Sequence, residues 1–236
     1  MPLWTLALVI AAVAGVRLGV DPLGADVLAL LGAAAAAWTF GPDDPPRAPW
    51  LLRVVGVGLV LVAHVLQRAG LGAAQGVDTA LLVVANLLGA TAVAGFVRVV
   101  RRSGLGAAPD RAGAVVVAGL AGVVAVAAAC VLARLLATTP DRAVVLAVST
   151  VCDGVVFVGS AMLLRLVLPL RGGLVAVPFL LLAADGLCYF LADLGHALGS
   201  PSVARTLPWF EAIGGAAGAT AGVAQAILLR RGSQRT

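Results

Sequence analysis

Four acidic side chains sit inside apolar stretches where a charge is expensive: Asp153, Asp185, Asp193 and Glu211. A carboxylate near the centre of a bilayer costs at least about 2.5 kcal/mol on insertion scales, so each one requires a partner or a wet cavity. Asp153 divides its apolar run into arms of 10 and 11 uncharged residues, which places it near the membrane middle. Asp185 lies midway along the next run. At about 100° per helical residue, Tyr189, Ala192 and His196 fall within about 40° of it. One stripe therefore carries a carboxyl, a phenol and an imidazole. Asp193 precedes His196 by three residues, so the two can pair on adjoining turns. Together Asp153, Asp185, Tyr189, Asp193 and His196 suit a ligand, ion or proton site, or an interhelical hydrogen-bond cluster that fixes packing.

Other chemistries lack their residues. All 16 basic residues are arginine, which removes Schiff-base chemistry, retinal or pyridoxal phosphate attachment and the Walker lysine together. Gly159-Ser160 lacks the glycine that an intramembrane serine nucleophile would need after it. Asp153-Gly154 has the opening of a phosphatidyltransferase motif without its later arginine and paired aspartates. No His-Glu-x-x-His, phosphate loop or cofactor fingerprint occurs. Two histidines on distant helices, His64 and His196, do not make a metal set. The expectation is a non-enzyme with no catalytic residue, no cofactor and no metal. Cys130, Cys152 and Cys188 lie far apart in apolar segments and read as small buried hydrophobes.

The elements that position these groups follow from composition. Of 236 residues, 61% are hydrophobic and 11% charged, with a mean hydropathy of +1.08; soluble chains carry about 25% charged residues. This is the composition of an integral membrane protein. Twenty-nine glycines, abundant alanine and 5% aromatics describe closely packed helices, not a membrane barrel with aromatic girdles. The net charge of +5 arises from arginines at the ends of apolar runs, where anionic headgroups meet them, so nucleic acid is not an expected partner.

A window of about 20 apolar residues gives eight spans: residues 2–20, 22–40, 49–69, 76–100, 110–137, 140–168, 173–198 and 205–231. Gly/Pro/Asp breakers separate them. The first lacks a basic segment before it and reads as a retained helix, not a signal peptide. Every connection is short, so consecutive helices are antiparallel. Eleven arginines fall on the face that holds the termini and five on the other, which predicts both termini in the cytoplasm of a multi-pass protein of the inner (plasma) membrane. Asp26 and Asp78, in first turns, read as helix caps. The fold class expected is an all-α polytopic bundle forming one membrane domain over residues 1–236.

The order of features in residues 53–102 (basic start, polar residues His64 and Gln67, Gly-rich break, Asn86, arginine cluster) recurs in residues 171–231 with Asp193, His196 and Gln225. Two repeat halves, 1–104 and 109–231, would each hold four helices and share one orientation. Gly15-x-x-x-Gly19, Gly214-x-x-x-Gly218 and Gly218-x-x-x-Gly222 permit close helix approach within the chain or in a homodimer.

The stretch Cys152-Asp153-Gly154-Val155-Val156, then Leu163 and Leu164, Ala183-Ala184-Asp185 with Tyr189, a Gly199 break and Trp209, resembles the multi-helix N-terminal membrane sensor region of actinobacterial signalling proteins. Diguanylate cyclase or phosphodiesterase (GGDEF/EAL) domains typically follow that region. The resemblance covers about residues 110–230 and, more faintly, 45–103. It implies the sensing half without the catalytic domains, because the sequence ends at Thr236. The high Ala, Val, Gly and Arg content is likewise similar to that of high-GC actinobacterial proteins. The function expected is a sensory or scaffolding module that binds a small or lipidic ligand or a partner helix, in the lipid bilayer, with a membrane or cytoplasmic signalling partner. The alternative is a small secondary transporter or proton-coupled permease that uses the same carboxylates.

Overall fold

The computed structural model describes residues 22–71, 76–104, 111–138, 140–168, 176–199 and 205–233. Seven helices run through them: α1 (Pro22–Trp38), α2 (Arg47–Arg68), α3 (Val77–Ser103), α4 (Arg111–Thr138), α5 (Pro140–Val167), α6 (Val177–Leu198) and α7 (Leu207–Ser233). Six of them, α2 to α7, contain stretches long and apolar enough to cross a membrane. The chain is a multi-pass helical membrane protein.

Eight spans are not all found. The first, residues 2–20, lies outside the described residues, as does Gly15-x-x-x-Gly19. The second is shorter than expected. With 17 residues, α1 rises about 26 Å against a hydrocarbon core of about 30 Å. Its end is fixed locally: the Thr39 hydroxyl donates to the Ala36 carbonyl, and the Gly41 amide donates to the Asp44 carboxylate in the turn that follows. Elsewhere the breakers act where expected. Gly104 and Gly199 adopt left-handed geometry (φ 66° and 62°) to close α3 and α6, a conformation glycine enters without a Cβ penalty.

Six helices close a ring in the order α1, α2, α3, α5, α6, α7, with α7 returning to α1. α4 stays outside and packs on α5 and, more lightly, on α6. It turns Val115, Val116, Val123 and Val126 outward, and exposes Cys130, which is therefore not the buried hydrophobe expected of it. Arg134 ties its far end to the ring by donating to the Leu198 carbonyl at the close of α6.

Small residues set the ring's tightness. At Gly222 a side chain would collide with the Gly32 backbone, so the last helix meets α1 backbone to backbone. At Gly186 an added Cβ would stand 2.6 Å from the Phe157 amide nitrogen and 3.0 Å from the Asp153 carbonyl oxygen. Neither is a flexible side-chain end that could move aside. Gly186→Val is therefore expected to force α5 and α6 apart at a cost of about 1–3 kcal/mol. Thermal unfolding in detergent would read this as a lowered Tm, and an unchanged Tm would count against the close α5–α6 approach.

One end of the ring is filled. Trp50 in the first turns of α2, Phe96 late in α3 and Phe179 at the start of α6 stack edge to face, with ring centroids 5.2 Å and 5.9 Å apart. Leu163, Val167 and Leu182 complete this cluster. It sits at the end that carries Arg47, Arg98, Arg101 and Arg102.

Candidate functional site

Inside the ring lies a cavity of about 400 Å³ lined by residues from all six ring helices and none from α4. Asp153, Asp185, Tyr189, Asp193 and His196 all line it. Asp153 projects from α5. The other four project from α6, where the helical period puts Asp185, Tyr189 and His196 on one stripe and Asp193 beside it.

The cavity's charges occur at three levels. Deepest, next to the aromatic cluster, Arg53 Nη2 donates to Asp185 Oδ2 at 2.9 Å, with both side chains about 10% exposed. These residues come from α2 and α6, whose backbones are not neighbours in the ring, so the ion pair bridges the lumen. Gly218 makes room for it, since a side chain there would meet the Asp185 carboxyl at 3.0 Å. Arg53 lies only two turns into its helix, and its long side chain carries the guanidinium into the interior.

The middle level holds Asp153 and Asp193, within hydrogen-bonding reach of each other and with the Ser149 hydroxyl beside both. Asn86 Nδ2 donates to Ser149 Oγ at 2.9 Å. That leaves the serine proton to be given to the acids. The Thr150 hydroxyl, also close to Asp193, donates to the Leu146 carbonyl instead. One oxygen of Asp193 is buried with no hydrogen-bond partner. Asp153 remains half-buried, and its accessible surface faces the cavity. Two like charges about 4 Å apart repel by about 4 kcal/mol at an effective dielectric near 20. A bare pair of carboxylates is thus an unfinished arrangement, completed by a cation or a shared proton.

At the third level, His64 Nδ1 meets Asp26 Oδ2 at 2.5 Å, and His196 Nε2 meets Glu211 Oε1 at 3.1 Å. His196 and Glu211 are 49% and 35% exposed, which marks the open end of the cavity. Two expectations are corrected here. His196 does not pair with Asp193 as its bonded partner. The preceding turn of its own helix points Asp193 toward α5, while the glutamate of α7 lies closer to the imidazole. Asp26 is not a solvent-facing cap: it is buried, and it joins α1 to α2 through His64. Asp78 is also covered, bonded to Gln67 at 3.0 Å.

Sequence reasoning missed Arg53, Asn86 and Ser149 as parts of the site and read Asp26 as a helix cap. Arg53 resembled a headgroup anchor, and nothing in a one-dimensional pattern reveals a partner 132 residues away. Among the described residues no group of three or more His, Cys, Asp or Glu side chains converges as a metal site would require. Comparison of the chain with protein-family models, with curated proteins and with solved structures returns no match.

Proposed function

We propose that the protein is a non-enzymatic membrane sensor module that binds a small ligand inside its helix ring. The observation that carries the reading is the single lumen to which all six ring helices contribute polar side chains. A ligand there touches every ring helix at once, so a ligand that prefers one packing shifts the whole ring toward it. The filled end favours reception over passage: beneath the cavity lie the Arg53–Asp185 bridge and the Trp50–Phe96–Phe179 cluster. The distribution of arginines orients the filled end and both termini toward the cytoplasm, so the ligand enters from the opposite side of the plasma membrane and the response is passed to a signalling partner.

The same reading takes residues 2–20 as an eighth helix and the chain as two halves. In the ring, α1, α2 and α3 stand opposite α5, α6 and α7 respectively. That is the order expected of two copies related by an axis along the membrane normal. α4 is then the outer helix of the second half. The outward valines of α4 offer a face to lipid or to a second copy.

Transport is favoured by one observation, the facing carboxyls of Asp153 and Asp193, which suit an ion or proton that moves with a substrate. A thermal-stability screen of purified protein against a chemically diverse panel of small molecules separates the readings from a purely structural subunit. Some compounds should raise the Tm of the native chain and not that of a lumen-filling Val60→Trp variant. If no compound discriminates between the two, the lumen is not a ligand site. Flux of a stabilising compound into proteoliposomes would select transport over sensing.

A further inference from the structure

The ligand class can be read from the cavity's charges and from the way its two halves differ. Among the described residues, five acids line the lumen: Asp26, Asp153, Asp185, Asp193 and Glu211. Three bases do so: Arg53, His64 and His196. Each base is already committed, Arg53 to Asp185, His64 to Asp26 and His196 to Glu211. The remaining two acids, Asp153 and Asp193, face each other.

The ring order makes that excess specific. Asp26 on α1 meets His64 on α2, 38 residues later. In the opposite half Asp153 on α5 meets a residue of α6 at nearly the same spacing, but that residue is Asp193. In the first half the imidazole answers the aspartate; in the second the imidazole, His196, is held by Glu211 of α7, and Asp153 faces a second carboxyl. The base missing beside Asp153 and Asp193 is the group that an incoming molecule would bring. The buried Asp193 oxygen without a partner marks the same place.

The rest of the wall limits the molecule further. Val57, Val60, Leu82, Val83 and Val145 give the cavity apolar sides, and Tyr189 adds an aromatic face of the kind that attracts cations. Its volume of about 400 Å³ falls in the range of small-molecule sites. Among the described residues that line the lumen an anion finds no uncommitted arginine, and a fully hydrated metal ion gains nothing from valine walls. Deepening the ligand-binding reading above, on which this rests, we propose that the lumen takes a small organic monocation, an amine with an apolar body, whose ammonium sits between Asp153 and Asp193.

The test is calorimetric titration of the 236-residue chain in detergent with three probes of one shape: phenethylamine, 2-phenylethanol and phenylacetate. The amine should bind at least tenfold more tightly than the alcohol, and the acid most weakly. Asp193→Asn and Asp153→Asn, each isosteric, should weaken the amine tenfold or more and leave the alcohol within about twofold. The comparison among probes on the native chain needs no variant, so it stands even if a variant fails to fold. Equal binding of all three probes that Val60→Trp abolishes would overturn the cationic assignment and leave the lumen a ligand site. Amine binding indifferent to both aspartates, or no amine binding at all, would also overturn the assignment. The diverse compound panel judges the ligand-binding reading separately.

Discussion

Arg53→Ala is expected to cost about 3–5 kcal/mol of folding stability, the range found when one partner of a buried ion pair is removed. The reason is geometric. Arg53 and Asp185 bridge two helices whose backbones are not neighbours in the ring, at about 10% side-chain exposure and 2.9 Å separation. Alanine deprives Asp185 of its guanidinium in an environment where water compensates poorly. Removing the acid instead, with Asp185→Ala, strands the guanidinium and should cost a similar amount. The double replacement Arg53→Met with Asp185→Leu should recover most of the loss, because apolar side chains of similar volume remove both desolvation penalties together. Chemical denaturation of the native chain, Arg53→Met, Asp185→Leu and their double variant in micelles gives the double-mutant cycle, with the two alanine variants measured alongside. A loss under 1 kcal/mol for Arg53→Ala would place the pair in the solvent-screened class of surface bridges, and the bridge could then not serve as the lumen's deep wall.

Trp50→Ala should have a comparable effect with a second, distinct signature. Trp50 is 1% exposed and is packed edge to face on Phe96, which packs in turn on Phe179. Truncating a buried tryptophan to alanine costs about 3–5 kcal/mol through lost contacts and the space left behind. That space adjoins the filled end of the lumen, so the variant should also open a path through the ring. A single cysteine introduced as Val60→Cys, with Cys130, Cys152 and Cys188 replaced by alanine, reports on the path. In sealed vesicles a membrane-impermeant maleimide should label it from the side of His196 and Glu211 alone. In the Trp50→Ala background it should label from both sides. Labelling from both sides without that change would mean that the aromatic cluster does not seal the lumen.

The arginine at position 53 shows where one-dimensional reading ends. Its position two turns into α2 is equally suited to a headgroup and to an interior partner, and only the path of α6 across the lumen from α2 selects the second. His196 makes the same point at shorter range. Its spacing from Asp193 permits a pair, yet α7 brings Glu211 closer and α5 turns Asp193 toward Asp153. Asp26 was misplaced because a first-turn aspartate has a local use as a cap, and the imidazole that claims it lies 38 residues away.

Composition and periodicity alone determined the helical membrane class, most helix boundaries and the presence of intramembrane acids. Those properties depend on local costs: apolar length against bilayer thickness, glycine and proline against helix geometry, and a charge against lipid. The stripe of Asp185, Tyr189 and His196 was also legible, because residues on one helix share a face at a fixed period. Closure of six helices into a ring, exclusion of α4 from it, and the pairing of each acid were decided by tertiary structure. Those depend on which backbones approach closely enough for side chains of different helices to meet, and sequence spacing carries no information about a distance across a lumen.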